Sequence, residues 1–170
     1  MGFGFPAAMG AQAAFPGRLV LCVAGDGSVQ MNTQELATAV VNKLPVKVVI
    51  INNRYHGMVR QWQDLFYEGR YASSYLDVVP DFVKLAEAYG AVGLRAAKVS
   101  EIDDVIQEAL AVDRPVFVDV PVDQYENCYP MIPAGGCNHE MILADPPELK
   151  KKQIVGTPVV GEDKDTVLTA

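Results

Sequence analysis

Asp26 sits between Gly25 and Gly27, is followed by Ser28, and stands directly after the apolar run Leu19–Ala24; Asn52 and Asn53 stand directly after a second apolar run, Val46–Ile51. Two parallel strands ending side by side would bring one carboxylate and one neutral amide oxygen to the same sheet edge. That pair suits Mg²⁺, which takes a few protein oxygens and completes its shell from phosphate and water. The flanking glycines let the backbone approach a phosphate closely. The pattern points to a divalent cation holding a diphosphate. Alone, Asp-Gly is a common turn and Asn-Asn a common loop pair. Their separation says more: residues 28 to 51 have room for one helix and one strand. That is a single βαβ crossover, which brings a strand to its parallel neighbour, where open α/β sheets place their ligands.

The elements that must position these residues alternate along the chain. A glycine-rich start leads into a small-residue helix beginning near Pro6, where proline suits a first turn. A helix so rich in Ala, Gly and Met needs neighbours on more than one side, so the chain is expected to begin inside a larger protein. The strand Leu19–Ala24 and the turn Gly25–Ser28 come next, then a helix from about Thr33 to Leu44. Asn32 is its expected N-cap, Glu35 its capping-box partner and Pro45 its stop. The β-branched strand Val46–Ile51 is apolar on both faces, as a buried parallel strand should be. In the next segment, Gly57–Tyr67, the residues Met58, Trp62, Leu65 and Phe66 fall at helical spacing; a plain account makes them a stripe facing the core, and that reading is favoured for Leu65 and Phe66. Glu68–Pro80 reads as a tyrosine-rich loop. Asp81 should cap a helix over Phe82–Tyr89 ended by Gly90, and a short strand near Val92–Ala96 follows. Ser100, with Asp103 as capping-box partner, should open a helix over Glu101–Ala111 before the strand Pro115–Val122. Residues 1–144 make one expected domain and 145–170 a tail without periodicity, expected to be mobile or to lie across a neighbour.

Composition narrows the function. The 170 residues are half apolar, enough for one domain with a proper core. A net charge of −7 and a pI near 4.7 argue against nucleic acid or an anionic membrane as partner. Lys43, Pro45 and Lys47 interrupt the longest apolar stretch below membrane-spanning length. Cys22, Cys128 and Cys137 form no CxxC pair and imply a reducing compartment, with Cys22 a core residue. His56 and His139 do not suggest a zinc site.

The GDG–NN arrangement resembles the thiamine diphosphate signature. Four longer stretches, Met1–Ala11, Met31–Thr38, Asn52–Tyr67 and Pro80–Gly90, are similar to the carboxy-terminal third of the acetohydroxyacid synthase (acetolactate synthase) large subunit, and the likeness runs over roughly residues 1 to 143. The resemblance implies a three-layer αβα fold with a mainly parallel sheet. Asp26 and Asn53 would ligate Mg²⁺ with the backbone carbonyl of Tyr55, and Gly27 and Ser28 would contact the diphosphate. The amides around His56, Gly57 and Met58 would close over it, and Met1 would be the apolar residue beneath the bent cofactor. Trp62 would line the substrate channel and favour 2-ketobutyrate over pyruvate as acceptor; as a plain residue it would be a core indole.

The same resemblance implies condensation of two 2-oxo acids with loss of CO₂, in branched-chain amino acid biosynthesis. The activating glutamate would lie in the amino-terminal domain of a partner subunit, and FAD in a middle domain. This chain would then hold half a cofactor site, no complete catalytic set and no activity alone. A homo-oligomer, dimer or tetramer, and a regulatory small subunit are the implied partners, in the bacterial cytoplasm or an organelle matrix. Pyruvate oxidase, glyoxylate carboligase and decarboxylases share the metal signature, but the Gly57–Trp62 string speaks against them. A non-catalytic fragment is the alternative from another class.

Overall fold

The β-branched run Lys47–Asn52 becomes an inner strand of a four-stranded sheet in a computed structural model that describes residues 1–147 and 149. Branched side chains suit a pleated surface packed on both faces, which is what an inner parallel strand offers. The strands are β1 (Leu21–Gly25), β2 (Lys47–Asn52), β3 (Val92–Arg95) and β4 (Val116–Pro121), in the order β1-β2-β4-β3, and every pairing is parallel. Leu21 lies opposite Lys47 and Gly25 opposite Ile51, so the two strand ends expected side by side are neighbours. Lys47, the one charge in β2, donates from Nζ to the Arg114 carbonyl at 3.0 Å and to that of Val112, so its buried ammonium is satisfied.

The helices are α1 (Gly4–Ala14), α2 (Asp26–Val29), α3 (Glu35–Val41), α4 (Gly57–Phe66), α5 (Phe82–Ala88) and α6 (Ile102–Ala111). Because successive strand residues face opposite sides, Val48, Ile50 and Phe117 join Phe5 and Met9 of α1, Leu36 of α3 and Phe82 of α5 in one core. Val116, Val118 and Val120 face the other way and pack with Ala109, Val105 and Ile106 of α6. These are the three layers of the expected αβα fold. Cys22 lies in the first core, as its setting implied. On β3, Gly93 passes so close to α5 that a Cβ there would stand 2.4 Å from the Val83 carbonyl oxygen.

Asp81 caps α5 as expected, accepting from the backbone N–H of Val83 at 3.2 Å and Lys84 at 3.4 Å. Other local expectations are corrected. The Gly25–Ser28 segment is no simple turn, because α2 starts at Asp26 itself. Asn32 does not cap α3; its amide is used up on the Gly2 carbonyl, and Glu35 accepts from Thr38 at 3.2 Å. α3 stops well before Pro45, with Lys43 at φ 52° turning the chain. Ser100 does not cap α6: the Glu101 carboxylate accepts from the backbone N–H of Ala97 at 2.9 Å and Lys98 at 3.2 Å.

The largest correction concerns α4. Met58 is 55% exposed and Phe66 41%, while Arg60, Gln61 and Asp64 are buried. Leu65 is partly buried and belongs to neither core. The polar face turns inward because it finds hydrogen-bond partners there, on the segment 123–131 that follows β4. Of the expected tail, Asp145 is fastened by Asn127 and Tyr129; residues 148 and 150–170 lie outside the described residues.

Candidate functional site

β1 ends at Gly25 and puts Asp26 at the carboxyl edge of the sheet, where the side chain is 1% exposed. Its Oδ1 accepts from the Gly27 N–H at 2.9 Å and its Oδ2 from the Arg54 N–H at 2.8 Å. Burial pushes its carboxyl above the usual carboxylate range, against these two donors and nearby His56, which favour the charged form. Among the described residues no lysine or arginine forms an ion pair with it. A buried carboxylate without a cation is costly, so the position suits an added one.

β2 delivers the second half of the site. Asn53 Oδ1 accepts from the Tyr55 N–H at 3.0 Å and so draws the chain into a turn, with Arg54 at φ 57°. A bulky residue holds that conformation only where its surroundings impose it. Here they do: the Arg54 carbonyl accepts from Leu76 N–H at 2.9 Å, the His56 N–H donates to the Ser74 carbonyl at 2.8 Å, and Tyr55 bridges Tyr75. The turn is pinned between the strand end and the 74–76 segment.

Between the two halves lies a cavity of about 270 Å³. Asp26, Gly27 and Ser28 line it from α2, just past the end of β1, Asn53 and Tyr55 from the turn, and His56, Gly57 and Met58 from the start of α4, with Met1 at its rim. All nine positions expected from the sequence to meet cation and cofactor therefore border one space. At Gly27 a Cβ would stand 2.7 Å from His56 Nδ1, so only glycine lets the turn close on α2. Burial also pushes the Tyr55 phenol up to about 12, so only its neutral form counts here.

Sequence reasoning missed some of the wall. Ser28 Oγ accepts from the Gly2 N–H at 3.0 Å while Asn32 holds the Gly2 carbonyl, which fixes the backbone next to Met1. The glycine at position 2, at φ 74°, was the available signal. Val59 and Ile51 also line the cavity and carried no chemical signal of their own.

Trp62 lies away from both cores. It is partly buried, edge-to-face with Phe66 at 5.4 Å, and lines a second space of about 640 Å³ with Met58, Val59, Tyr67 and Arg70. Met58 and Val59 border both spaces, so the groove along α4 and the Asp26 cavity are neighbours.

The donor set fits a hard divalent cation: one carboxylate, one amide and backbone oxygens, with space left for ligands from outside the protein. Fold and site together define an open parallel α/β domain of the ligand-binding kind, with its pocket at the carboxyl ends of adjacent strands. The profile of the thiamine pyrophosphate enzyme, C-terminal TPP binding domain, matches residues 1–120, and the chain belongs to this family. It is 51% identical over 149 residues to the acetolactate synthase large subunit of Haemophilus influenzae, and 54% identical over 147 residues to the acetolactate synthase isozyme 3 large subunit of Escherichia coli. These alignments cover 87% and 85% of this chain but 26% of each relative, so the chain spans about a quarter of their length. Among solved structures it is similar to the thiamine diphosphate-dependent 4-hydroxybenzoylformate decarboxylase of Rhodococcus jostii RHA1. The TM-score is 0.68 at 36% identity, over 72% of this chain and 23% of that one.

Proposed function

We propose that this chain is the cofactor-binding part of an acetolactate synthase large subunit and holds thiamine diphosphate through Mg²⁺. The observation that carries this reading is the buried, unpaired Asp26 carboxylate one strand away from Asn53, over a cavity walled by glycine. Asp26 and Asn53 supply metal oxygens, joined by the Tyr55 carbonyl. The amides of Gly57 and Met58 face the diphosphate, with Gly27 leaving room for it, whereas the expected His56 amide is already spent on the Ser74 carbonyl; the Ser28 hydroxyl keeps its proton to donate because its oxygen already accepts from Gly2. Met1 supports the cofactor from below. When bound, the cofactor supplies the nucleophile for addition to a 2-oxo acid and for loss of CO₂. The chain's own residues hold the diphosphate end and shape the approach: Trp62, with Met58, bounds the groove by which pyruvate or 2-ketobutyrate would enter. Identity near 50% to two acetolactate synthases, against 36% to a decarboxylase, supports carboligation over the other thiamine chemistries. The same reading assigns FAD, the activating glutamate, homo-oligomeric assembly and any regulatory subunit contact to the full-length polypeptide in a soluble compartment, in branched-chain amino acid synthesis.

Calorimetric titration of thiamine diphosphate with and without Mg²⁺ tests the site. Asp26→Ala should weaken metal-dependent binding more than tenfold, about 1.4 kcal/mol or more. Undiminished binding by that variant would refute the assignment.

A further inference from the structure

Arg60 is the largest fully buried side chain among the described residues, 1% exposed on a helix face where an apolar residue would be expected. Its Nη2 donates to the Tyr125 carbonyl at 2.8 Å and to Asn127 Oδ1 at 2.6 Å, and stands 3.4 Å from Asp64 Oδ2. Its Cζ lies 5.4 Å from the centre of the Tyr55 ring and 5.7 Å from that of Tyr125. One guanidinium thus joins three separate stretches: the Asn53–His56 turn, α4, and the 123–131 segment.

A guanidinium this deep is tolerable only when paired and hydrogen-bonded; Asp64 and the two carbonyl oxygens meet that demand at Nη2, while Nη1 has no hydrogen-bond partner among the described residues. The two rings add cation–π attraction, to which a planar, weakly hydrated guanidinium is better suited than a lysine ammonium. Holding the 123–131 segment would need only the hydrogen bonds. The contact with Tyr55 does something else. That ring is held between Arg60 and Tyr75, whose ring centre is 5.0 Å away, and its peptide is the one drawn in by Asn53 Oδ1. Fixing the ring fixes the turn.

We propose that Arg60 is a positioning residue for the cation site: lying over the Tyr55 ring, it keeps the Asn53–His56 turn in register with Asp26 and ties that register to the 123–131 segment. The inference rests on the reading of Asp26, Asn53 and Tyr55 as cation ligands. Mg²⁺ demands near-ideal octahedral geometry, whereas Ca²⁺ accepts variable arrangements. A loosened turn should therefore penalise Mg²⁺ more than Ca²⁺, while a purely packing role would lower stability and leave the preference between metals alone.

The experiment is calorimetric titration of Mg²⁺ and of Ca²⁺ into the full-length protein at saturating thiamine diphosphate, for the wild type, Arg60→Met and Arg60→Lys. Arg60→Met should raise the Mg²⁺ dissociation constant at least fivefold and that of Ca²⁺ by clearly less, with Arg60→Lys in between. Tyr125→Leu removes one of the two rings beneath the Arg60 guanidinium and should shift Mg²⁺ the same way by a smaller factor; it stands in for Arg60→Met if that variant does not fold. Unchanged Mg²⁺ affinity in a folded variant, or equal loss for both metals, overturns the proposal. A wild type that binds neither metal removes the cation-site reading, and this inference with it.

Discussion

α5 and α4, helices of seven and ten residues, obey opposite rules. α5 buries Phe82 and Ala86 against the sheet and is capped by Asp81, which precedes it in sequence. α4 buries Arg60, Gln61 and Asp64 and leaves Met58, Val59 and Phe66 exposed. Burial on α5 follows from the hydrophobic effect, which depends on residue type alone. Burial on α4 follows from hydrogen bonding, which depends on partners arriving from elsewhere. The layers of the fold are built in the first way. The wall beside the candidate site is built in the second, and its outward apolar side is left free to border a groove.

The contrast can be broken at its strongest point with Phe82→Ala and Phe66→Ala in parallel. Phe82 is 0% exposed, and its truncation should cost about 3–5 kcal/mol in urea unfolding. Phe66→Ala should stay within about 1 kcal/mol. Comparable losses would mean that α4 also contributes an apolar core.

A sharper comparison comes from the polar side. Gln61 binds both backbone groups of Cys128, donating to the carbonyl and accepting from the N–H at 2.8 Å each. Gln61→Ala removes both bonds, and because Cys128 itself is exposed its backbone groups can turn to water, so the cost should be about 1–2 kcal/mol. A cost near zero would show that the 123–131 segment is held by other contacts. Gln61 and Cys128 are far apart in sequence, which is why the inverted face was not legible there: the spacing of Met58, Trp62 and Phe66 was correct, but no local pattern says which face finds partners. Asn32 failed for the same reason, its amide being taken by Gly2 across the fold. Asp26 and Asn53 were legible because everything that places them is local: an apolar run, its end, and one crossover.

On the α5 side, Asp81 gives a smaller, pH-dependent effect. Burial pushes its carboxyl up, but the Lys84 and Val83 N–H groups and the Arg95 guanidinium at 2.9 Å outweigh this and hold it below the usual carboxylate range. A depressed folded-state value means that the stabilisation is present above the ordinary carboxylate pKa and is lost as pH falls through the folded value. Asp81→Ala should cost about 1 kcal/mol at neutral pH, as cap removal does, and the gap from wild type should close on acidification. A gap that persists in acid would point to packing rather than capping and charge.

The smallest expected effect on stability, at Trp62, separates the two helices most clearly by function. A core indole would lose about 3–5 kcal/mol on truncation, but Trp62 is only partly buried, leans on Phe66, and lies outside both cores. Trp62→Leu in the full-length enzyme should therefore change stability by no more than about 1 kcal/mol. If the groove it shares with Met58 and Val59 conducts the acceptor, the same change alters the apolar wall that tells 2-ketobutyrate from pyruvate, two molecules that differ by one methylene. Such a methylene is worth about 1–3 kcal/mol in a fitted pocket, so the preference should shift by roughly tenfold or more, read by competing the two acids and assaying both products. A large drop in melting temperature with selectivity intact would place Trp62 among the residues that hold the fold, and α4 would then obey the same rule as α5.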